Sequence, residues 1–277
     1  LPLVPEWAVE VSWSELNVDL AFPLLHGPYG EDGTIQGLFE MSDLPYVGSG
    51  VLASAVAMDK TFAKPIYADF GLKVADGITV HKRDWQQNRE LEIAKISALG
   101  FPVFVKPARS GSSRGTTKVK SELEIPSAIE AAHEHDPKAL VEVAINGREV
   151  ECAVLEIDGK ATASIIGEIR VHEPHEFYDF EAKYLDGSTS FDVPANISEK
   201  LSNQIRQAAV TAFEALGCEG LARVDFFLTN DDELLINELN TMPGFTPISM
   251  YPKLWVASGL AYADLIDELI WLALERG

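Results

Sequence analysis

A chain of 277 residues, 47% of them hydrophobic, can bury a sizeable core and exceeds the usual single-domain length, so two or three compact units are expected. Its formal charge of -21 at pH 7 argues against nucleic acid or an anionic membrane as a partner, since both require a basic surface. Any anionic ligand must find local cations, which makes the placement of the few lysines and arginines informative. The longest apolar stretches, Val51 to Met58 and Leu269 to Leu274 among them, fall far short of the roughly 20 residues of a membrane span. No leader pattern precedes Pro2, and the expected setting is cytoplasmic. Cys152 and Cys218 have no spacing suited to a metal knot or a disulfide framework, so both are expected as reduced core thiols.

In chain order, Ala21 to Leu25 reads as a strand, His26 to Gly33 (HGPYGEDG) as a loop, and Thr34 to Met41 as a helix. Val51 to Phe70 reads as one or two helices ending at Gly71, with Pro65 marking a break or a first turn. Phe101 to Lys106 is a short apolar run, and Pro107 holds Lys106 extended. A small-residue loop, Ser110 to Gly115, leads to a strand around Thr117 to Val119. Helical spacing runs from Glu122 to His135, and Ala139 to Val143 is another strand.

Alternation between Glu149 and Val171 flanks Asp158-Gly159, a strong hairpin signal. Ser198 is placed to cap a helix whose apolar face is Leu201, Ile205, Ala208, Phe213 and Leu216, closed by Gly217. Strands Leu221 to Leu228 and Glu233 to Leu239 flank the turn Thr229 to Asp232, and an amphipathic helix covers Tyr262 to Leu274. Strands, hairpins and helices in this mixture indicate an α/β or α+β protein.

The densest chemistry lies in the last hairpin. Period-two alternation puts Arg223 and Asp225 on one strand face, and Glu238 and Asn240 on one face of the next. Asp, Glu and Asn supply the hard oxygen ligands that Mg²⁺ prefers, and Arg supplies a planar fork for phosphate or carboxylate. The alternative is a solvated face, with Val224, Phe226, Ile236 and Leu239 filling a core behind it. Lys106 and the following loop, ARSGSSRG from Ala108 to Gly115, form either a phosphate-wrapping loop without the Walker pattern or a plain connection. Taken singly, Lys60, Glu142 and Glu149 read as surface charges, and His26, where an apolar run enters a glycine-rich loop, as either a site residue or a hydrogen-bonded structural histidine.

Taken in order, LHGPYGEDGTIQG, GSGVLASAVAMDK, FVKPARSGSSRG, YDFEAKY, LARVDFF and NELNTMPGFTPISMYP resemble the D-alanine-D-alanine ligases, over roughly residues 20 to 275. The resemblance implies an ATP-grasp fold with a partial amino-terminal α/β domain at 1–48, a central subdomain at 49–141 and a carboxy-terminal subdomain at 142–277. It implies ATP-dependent joining of two D-alanine molecules for cell-wall precursor synthesis, through an acyl phosphate, by a homodimer. An acceptor of D-lactate or D-serine, or a nucleotide-binding module without turnover, are the competing readings.

By the same resemblance, Lys60 and Lys106 contact ATP phosphates, Ser113 and Phe227 also bind the nucleotide, and Lys183 lies near the transferred phosphate. Glu142 and Ile145 meet the adenine and Glu149 the ribose. Asp225, Glu238 and Asn240 hold two Mg²⁺ or Mn²⁺ ions. Arg223 and the Gly244 N–H stabilise the oxyanion. His26 lies by the first D-alanine, Ser249 and Met250 receive the carboxylate of the second, and Ser112 and Tyr184 join the loops that close the site. Tyr178 to Asp186 forms the lid. The family's opening strand and glycine-rich turn, ending in a Glu that grips the first substrate, have no counterpart before Ala21, which leaves the first-substrate site incomplete within these residues.

Overall fold

The computed structural model describes residues 18–111, 114–171 and 189–276. Among the described residues, the run Ala21 to Leu25 makes a single parallel bridge, Ala21 to Tyr46, and is not itself a strand. Pro23 lacks the N–H that would continue a ladder. Thr34–Met41 is helix α1, as its apolar spacing predicts. The next helical stretch is two helices, α2 (Val51–Met58) and α3 (Lys60–Asp69), and the break falls at Asp59 rather than at Pro65. Asp59 is extended (φ -93°, ψ 95°) and its carboxylate accepts a hydrogen bond from the Thr61 N–H at 3.1 Å, so its capping ends one helix and starts the other. Pro65 sits inside α3, where it forfeits one helical hydrogen bond.

β1 (Gly77–His81), α4 (Lys82–Gln87), α5 (Arg89–Ser97), β2 (Val103–Pro107), β3 (Thr117–Val119), α6 (Ile125–His135) and β4 (Lys138–Val143) make the first layer. Its four strands are antiparallel in the order β1-β4-β2-β3. Val80, Val103, Val105, Val119, Ala139 and Val141 turn to one face and bury against Trp85, Ile96, Ile125 and Ile129 of the helices. Alternation therefore leaves Phe104, Lys106, Lys118 and Glu142 on the other face.

The second layer contains β5 (Gly147–Ile157), β6 (Lys160–Val171), β7 (Thr189–Asp192), α7 (Glu199–Ala215), β8 (Leu221–Thr229), β9 (Leu234–Asn240), α8 (Met250–Ala257) and α9 (Tyr262–Arg276). The sheet is antiparallel in the order β7-β6-β5-β8-β9. Asp158 and Gly159, both at positive φ (52° and 68°), turn β5 into β6 as a two-residue hairpin requires. Ser198 caps α7 by accepting from the Leu201 N–H at 3.3 Å, as its sequence position suggests.

Leu201, Ile205 and Phe213 of α7 cover Val150, Cys152, Val154, Val224, Phe226 and Leu228, at roughly 1.5–3 kcal/mol for each large side chain buried. Cys152 and Cys218 are free, buried thiols, as expected, and burial pushes the pKa of each up to about 12. The opposite face of this sheet is divided. Ala153, Leu155 and Leu221 lie under Tyr251, Leu254 and Trp255 of α8 and Leu265 and Leu269 of α9. Glu149, Glu151, Arg223, Asp225 and Phe227, further along the same face, line a cavity that Phe104, Lys106 and Glu142 of the first sheet also line.

The start of α3 is tied to the first layer by charge. Asp59 pairs with Lys138, whose ammonium lies 4.6 Å from the Phe62 ring centroid, while the Lys60 N–H donates to the Ala108 carbonyl at 3.2 Å. Replacing Asp59 by Ala removes the cap and strands a mostly buried ammonium, so urea unfolding should show a loss of about 2–4 kcal/mol. Asp59→Asn, which keeps the cap acceptor, should lose visibly less; equal losses would show that the cap contributes nothing.

Candidate active site between the two sheets

The cavity between the sheets has a volume of about 870 Å³. Cross-strand register builds its floor. Glu151 on β5 lies opposite Asp225 on β8, which lies opposite Glu238 on β9; one step along, Arg223 lies opposite Asn240. Between Asp225 and Phe226 the β8-β9 register shifts, a bulge that leaves Asn237 outside the pairing. Asn237 and Glu238, adjacent in sequence, therefore both line the cavity. The hairpin is thus a cavity wall, with Val224, Phe226, Ile236 and Leu239 in the core behind it.

The cations come from three places. Lys60 and Lys64, four residues apart on α3, share one helix face and both are buried. Lys60 reaches Glu238 (Nζ to Oε2 2.8 Å) and donates to the Ser110 carbonyl at 3.3 Å. Lys64 reaches Glu142 at 2.5 Å, and Lys106 on β2 pairs with the same carboxylate while donating to Asn237 Oδ1 at 3.4 Å. Arg223 binds Asp225 through Nε and Nη2, both at 2.7 Å, and its Nε lies 3.2 Å from Glu151 Oε2.

Burial opposes every one of these charges, and their partners decide the outcome. Burial disfavours charged Lys60, but Glu238 beside it outweighs that and raises its pKa. Arg223 is likewise driven well above the ordinary range, because Asp225 and then Glu151 outweigh its desolvation. Burial would raise Glu142, yet Lys106 and Lys64 hold it below the usual value. One carboxylate cannot neutralise two ammonium groups, so Lys64, the more deeply buried, has its pKa lowered by desolvation and by the charge of Lys106.

Three oxygen-bearing residues suit a divalent ion. Asp225 and Glu238 face each other across the ladder, and Asn240 Nδ2 donates to Asp225 Oδ2 at 3.0 Å, which leaves its carbonyl oxygen as a donor to metal. Among the described residues no three His, Cys, Asp or Glu side chains gather to hold an ion by themselves. Two carboxylates and an amide are the kind of incomplete oxygen set that Mg²⁺ accepts when phosphate oxygens fill the remaining positions.

Beyond this floor, His26 Nδ1 lies 3.0 Å from the Met242 carbonyl, and since a carbonyl only accepts, Nδ1 carries a proton. Gly244 lies beside it: a Cβ there would sit 2.6 Å from Ser249 Oγ and 3.8 Å from His26 Nε2, so only glycine lets these groups approach. Ser249 opens α8 without side-chain capping, its Oγ accepting instead from the Thr246 N–H at 3.0 Å. The Met250 side chain is buried in the core, which leaves its backbone N–H in the first turn of α8 for any ligand role. Ile145, Glu149 and Phe227 line the cavity with Glu142. Ser112, Ser113, Lys183, Tyr184 and the expected lid Tyr178 to Asp186 lie outside the described residues.

Read singly from sequence, Lys60 and Glu142 were surface charges; each is buried here, 7% and 4% exposed. Sequence reading missed Lys64, Glu151, Asn237 and Glu31. Helical spacing from Lys60 points to Lys64, and strand alternation from Glu149 points to Glu151. Glu31, in the loop before α1, accepts from the Gly27 N–H at 2.6 Å. Its burial raises the pKa from 4.5 to about 7, against the Gly27 hydrogen bond and with help from the charge of Glu238.

A raised carboxyl pKa stabilises the fold most below the unfolded value and loses that contribution as pH climbs through the folded value. Between pH 4.5 and 7 the parent should therefore lose stability relative to Glu31→Gln, by up to about 3 kcal/mol. Urea unfolding of both proteins at pH 5, 6, 7 and 8 checks it; parallel profiles would mean that Glu31 stays ionised.

The chain matches two family models: "D-ala D-ala ligase N-terminus" over residues 6–49 and "D-ala D-ala ligase C-terminus" over residues 66–271. It is 54% identical over 264 residues to a D-alanine-D-alanine ligase of Streptomyces coelicolor, covering 94% of this chain and 68% of that enzyme. A D-alanine-D-alanine ligase of Arthrobacter sp. is 56% identical over 265 residues, 94% of this chain and 69% of that one. Among solved structures, the D-alanine-D-alanine ligase of Coxiella burnetii superposes with a TM-score of 0.80 at 41% identity, covering 93% of this chain and 68% of that one. The VanG D-Ala:D-Ser ligase of Enterococcus faecalis superposes at 0.82 with 43% identity, covering 92% and 73%. Two α+β layers enclosing a charged cavity are the ATP-grasp arrangement of these neighbours, and the chain belongs to the D-alanine-D-alanine ligase family.

Proposed function

We propose that this chain is an ATP-dependent ligase that joins two D-alanine molecules into D-alanyl-D-alanine for cell-wall precursor synthesis. The observation that carries the reading is the convergence of Lys60, Lys106, Arg223, Asp225 and Glu238 on one cavity between the two sheets. Such a cavity offers cations to a triphosphate and oxygen donors to its divalent ions. Glu142, Ile145 and Phe227 surround the base, Glu149 takes the ribose, and Lys60 and Lys106 take the phosphates, with Ser113 and Lys183 assigned there by resemblance. Asp225, Glu238 and Asn240 hold Mg²⁺ or Mn²⁺, which when bound offsets charge on the phosphate oxygens.

A carboxylate oxygen of the first D-alanine, placed beside His26, forms a bond to the γ-phosphorus, and the bond from that phosphorus to its bridging oxygen breaks to release ADP. The amine of the second D-alanine then adds to the acyl carbon. Its own carboxylate is received by Ser249 and the Met250 N–H at the start of α8, where backbone donors meet an anion. Arg223 and the Gly244 N–H hold the oxyanion that develops, and the acyl carbon loses phosphate, which carries away the proton that the amine nitrogen gives up. Ser112 and Tyr184 are assigned to loop closure, which keeps water from the acyl phosphate. A homodimer in the cytoplasm is proposed on family resemblance; among the described residues no helix is long and apolar enough to cross a membrane.

With ATP and Mg²⁺ present, adding D-alanine should release ADP and yield the dipeptide; release indifferent to D-alanine would sink the reading. Lys106→Ala should weaken ATP binding at least about tenfold, because a charge-assisted phosphate contact is lost. An affinity equal to the parent's would remove Lys106 from the site.

The acceptor follows from Tyr184. A phenol does not select by charge, whereas a histidine protonated at mildly acidic pH repels an incoming ammonium and tolerates a hydroxyl. Competition among D-alanine, D-serine and D-lactate from pH 6 to 8 should favour D-alanine in the parent and move toward D-lactate at the acidic end in Tyr184→His. A parent that prefers either competitor throughout has been assigned the wrong acceptor.

A further inference from the structure

Glu151 has no part in the reaction above, although it is 3% exposed and lies opposite Asp225 in the cavity floor. Its Oε2 stands 3.2 Å from Arg223 Nε, so the guanidinium is shared between a carboxylate on its own strand and one on the neighbouring strand. We propose that Glu151 is a positioning residue that holds Arg223 in place for the reaction independently of Asp225. The inference rests on the proposed function for what Arg223 does there.

The physical case concerns what happens to a buried cation whose partner has a second duty. Asp225 now engages Arg223 through both carboxylate oxygens at 2.7 Å. The same oxygens are the ones offered to a divalent ion, and any turn of Asp225 toward such an ion loosens its grip on the guanidinium. A buried guanidinium released by its only carboxylate would gain water or swing away, and either would spoil an oxyanion contact that depends on fixed geometry. Glu151 removes that dependence, because it approaches from β5, where the ladder to β8 fixes its Cα opposite Asp225. On its other side, Glu151 faces Gly167 of β6, whose side-chain position is filled by Met250 and Leu254 of α8, so apolar packing bounds the carboxylate on the side away from Arg223. The carboxylates around the guanidinium therefore divide the work. Asp225 can serve the ion, and Glu151 serves the arginine.

The test has two arms. In the first, which needs neither nucleotide nor turnover, the Arg223 Nε–H resonance is assigned in ¹⁵N-labelled protein by its absence from Arg223→Lys. It should persist in Asp225→Asn and vanish by exchange with water in Asp225→Asn combined with Glu151→Gln. Loss of the signal in Asp225→Asn alone, or its survival in the double variant, would overturn the proposal. In the second arm, Glu151→Gln should lower kcat about tenfold or more with the KM for ATP within about threefold of the parent. Combined with Arg223→Lys it should lower kcat no further than Arg223→Lys alone. An unchanged kcat, or two losses that multiply, would also overturn it. If Glu151→Gln does not fold, Glu151→Asp, which keeps the charge and loses the reach, replaces it in both arms. A parent without D-alanine-dependent ADP release counts against the proposed function, and the resonance arm still decides whether Glu151 holds Arg223.

Discussion

Neutralising buried charge is the constraint on which this molecule is built. Lys60, Lys64, Glu142 and Glu151 are each less than a tenth exposed, and all lie between or beside two sheets that meet across one cavity. A lone ion of this kind costs several kcal/mol to withdraw from water, so each must find an opposite charge within hydrogen-bonding reach. Besides Arg223 to Asp225 within β8, ion pairs of the cavity cross between elements distant in sequence: Lys60 to Glu238, Lys64 and Lys106 to Glu142, and Arg223 to Glu151. Pairing of this kind does more than stabilise. It fixes α3 against β9 and β4, and it fixes β2 against β4 at Lys106, just before the small-residue loop.

Much of this was legible in the sequence because period and capping are local. Thr34–Met41 was readable from its spacing, and the β5-β6 hairpin from Asp158-Gly159. Arg223, Asp225, Glu238 and Asn240 fell on one face because strands alternate. The illegible parts were set by long-range packing. Ala21 to Leu25 has strand composition, but among the described residues it bridges Tyr46 alone and builds no ladder. The helix break went to Asp59 because that side chain both caps Thr61 and answers Lys138, whereas Pro65 can be absorbed inside a helix that has other anchors.

The bulge in β9 shows the same limit from another side. Strict alternation from Glu238 would place Asn237 in the core, and its polar amide would then need a buried partner. The register shift opposite Asp225 and Phe226 instead turns Asn237 to the cavity, where it accepts from Lys106. No local signal in N237-E-L-N announces the shift. It follows from fitting Ile236 into the core behind β8 while Glu238 stays opposite Asp225, a condition that involves two strands at once.

The pairing also bears on how a chain with a charge of -21 can take a triphosphate. Under the proposed function, Lys60, meant for phosphate, and Arg223, meant for the oxyanion, are now paired with carboxylates meant for divalent ions, Lys60 with Glu238 and Arg223 with Asp225. When a triphosphate enters with its ions, each pair is exchanged for another of the same kind, ammonium for phosphate and carboxylate for metal. The count of unpaired buried charges does not rise at either end of the exchange, so neither state bears a large desolvation cost alone. A triphosphate without its ions would take Lys60 away and leave Glu238 uncompensated beside Asp225. The ion pairs of the site thereby favour the metal complex of the nucleotide over the bare anion, before any metal-phosphate contact is counted.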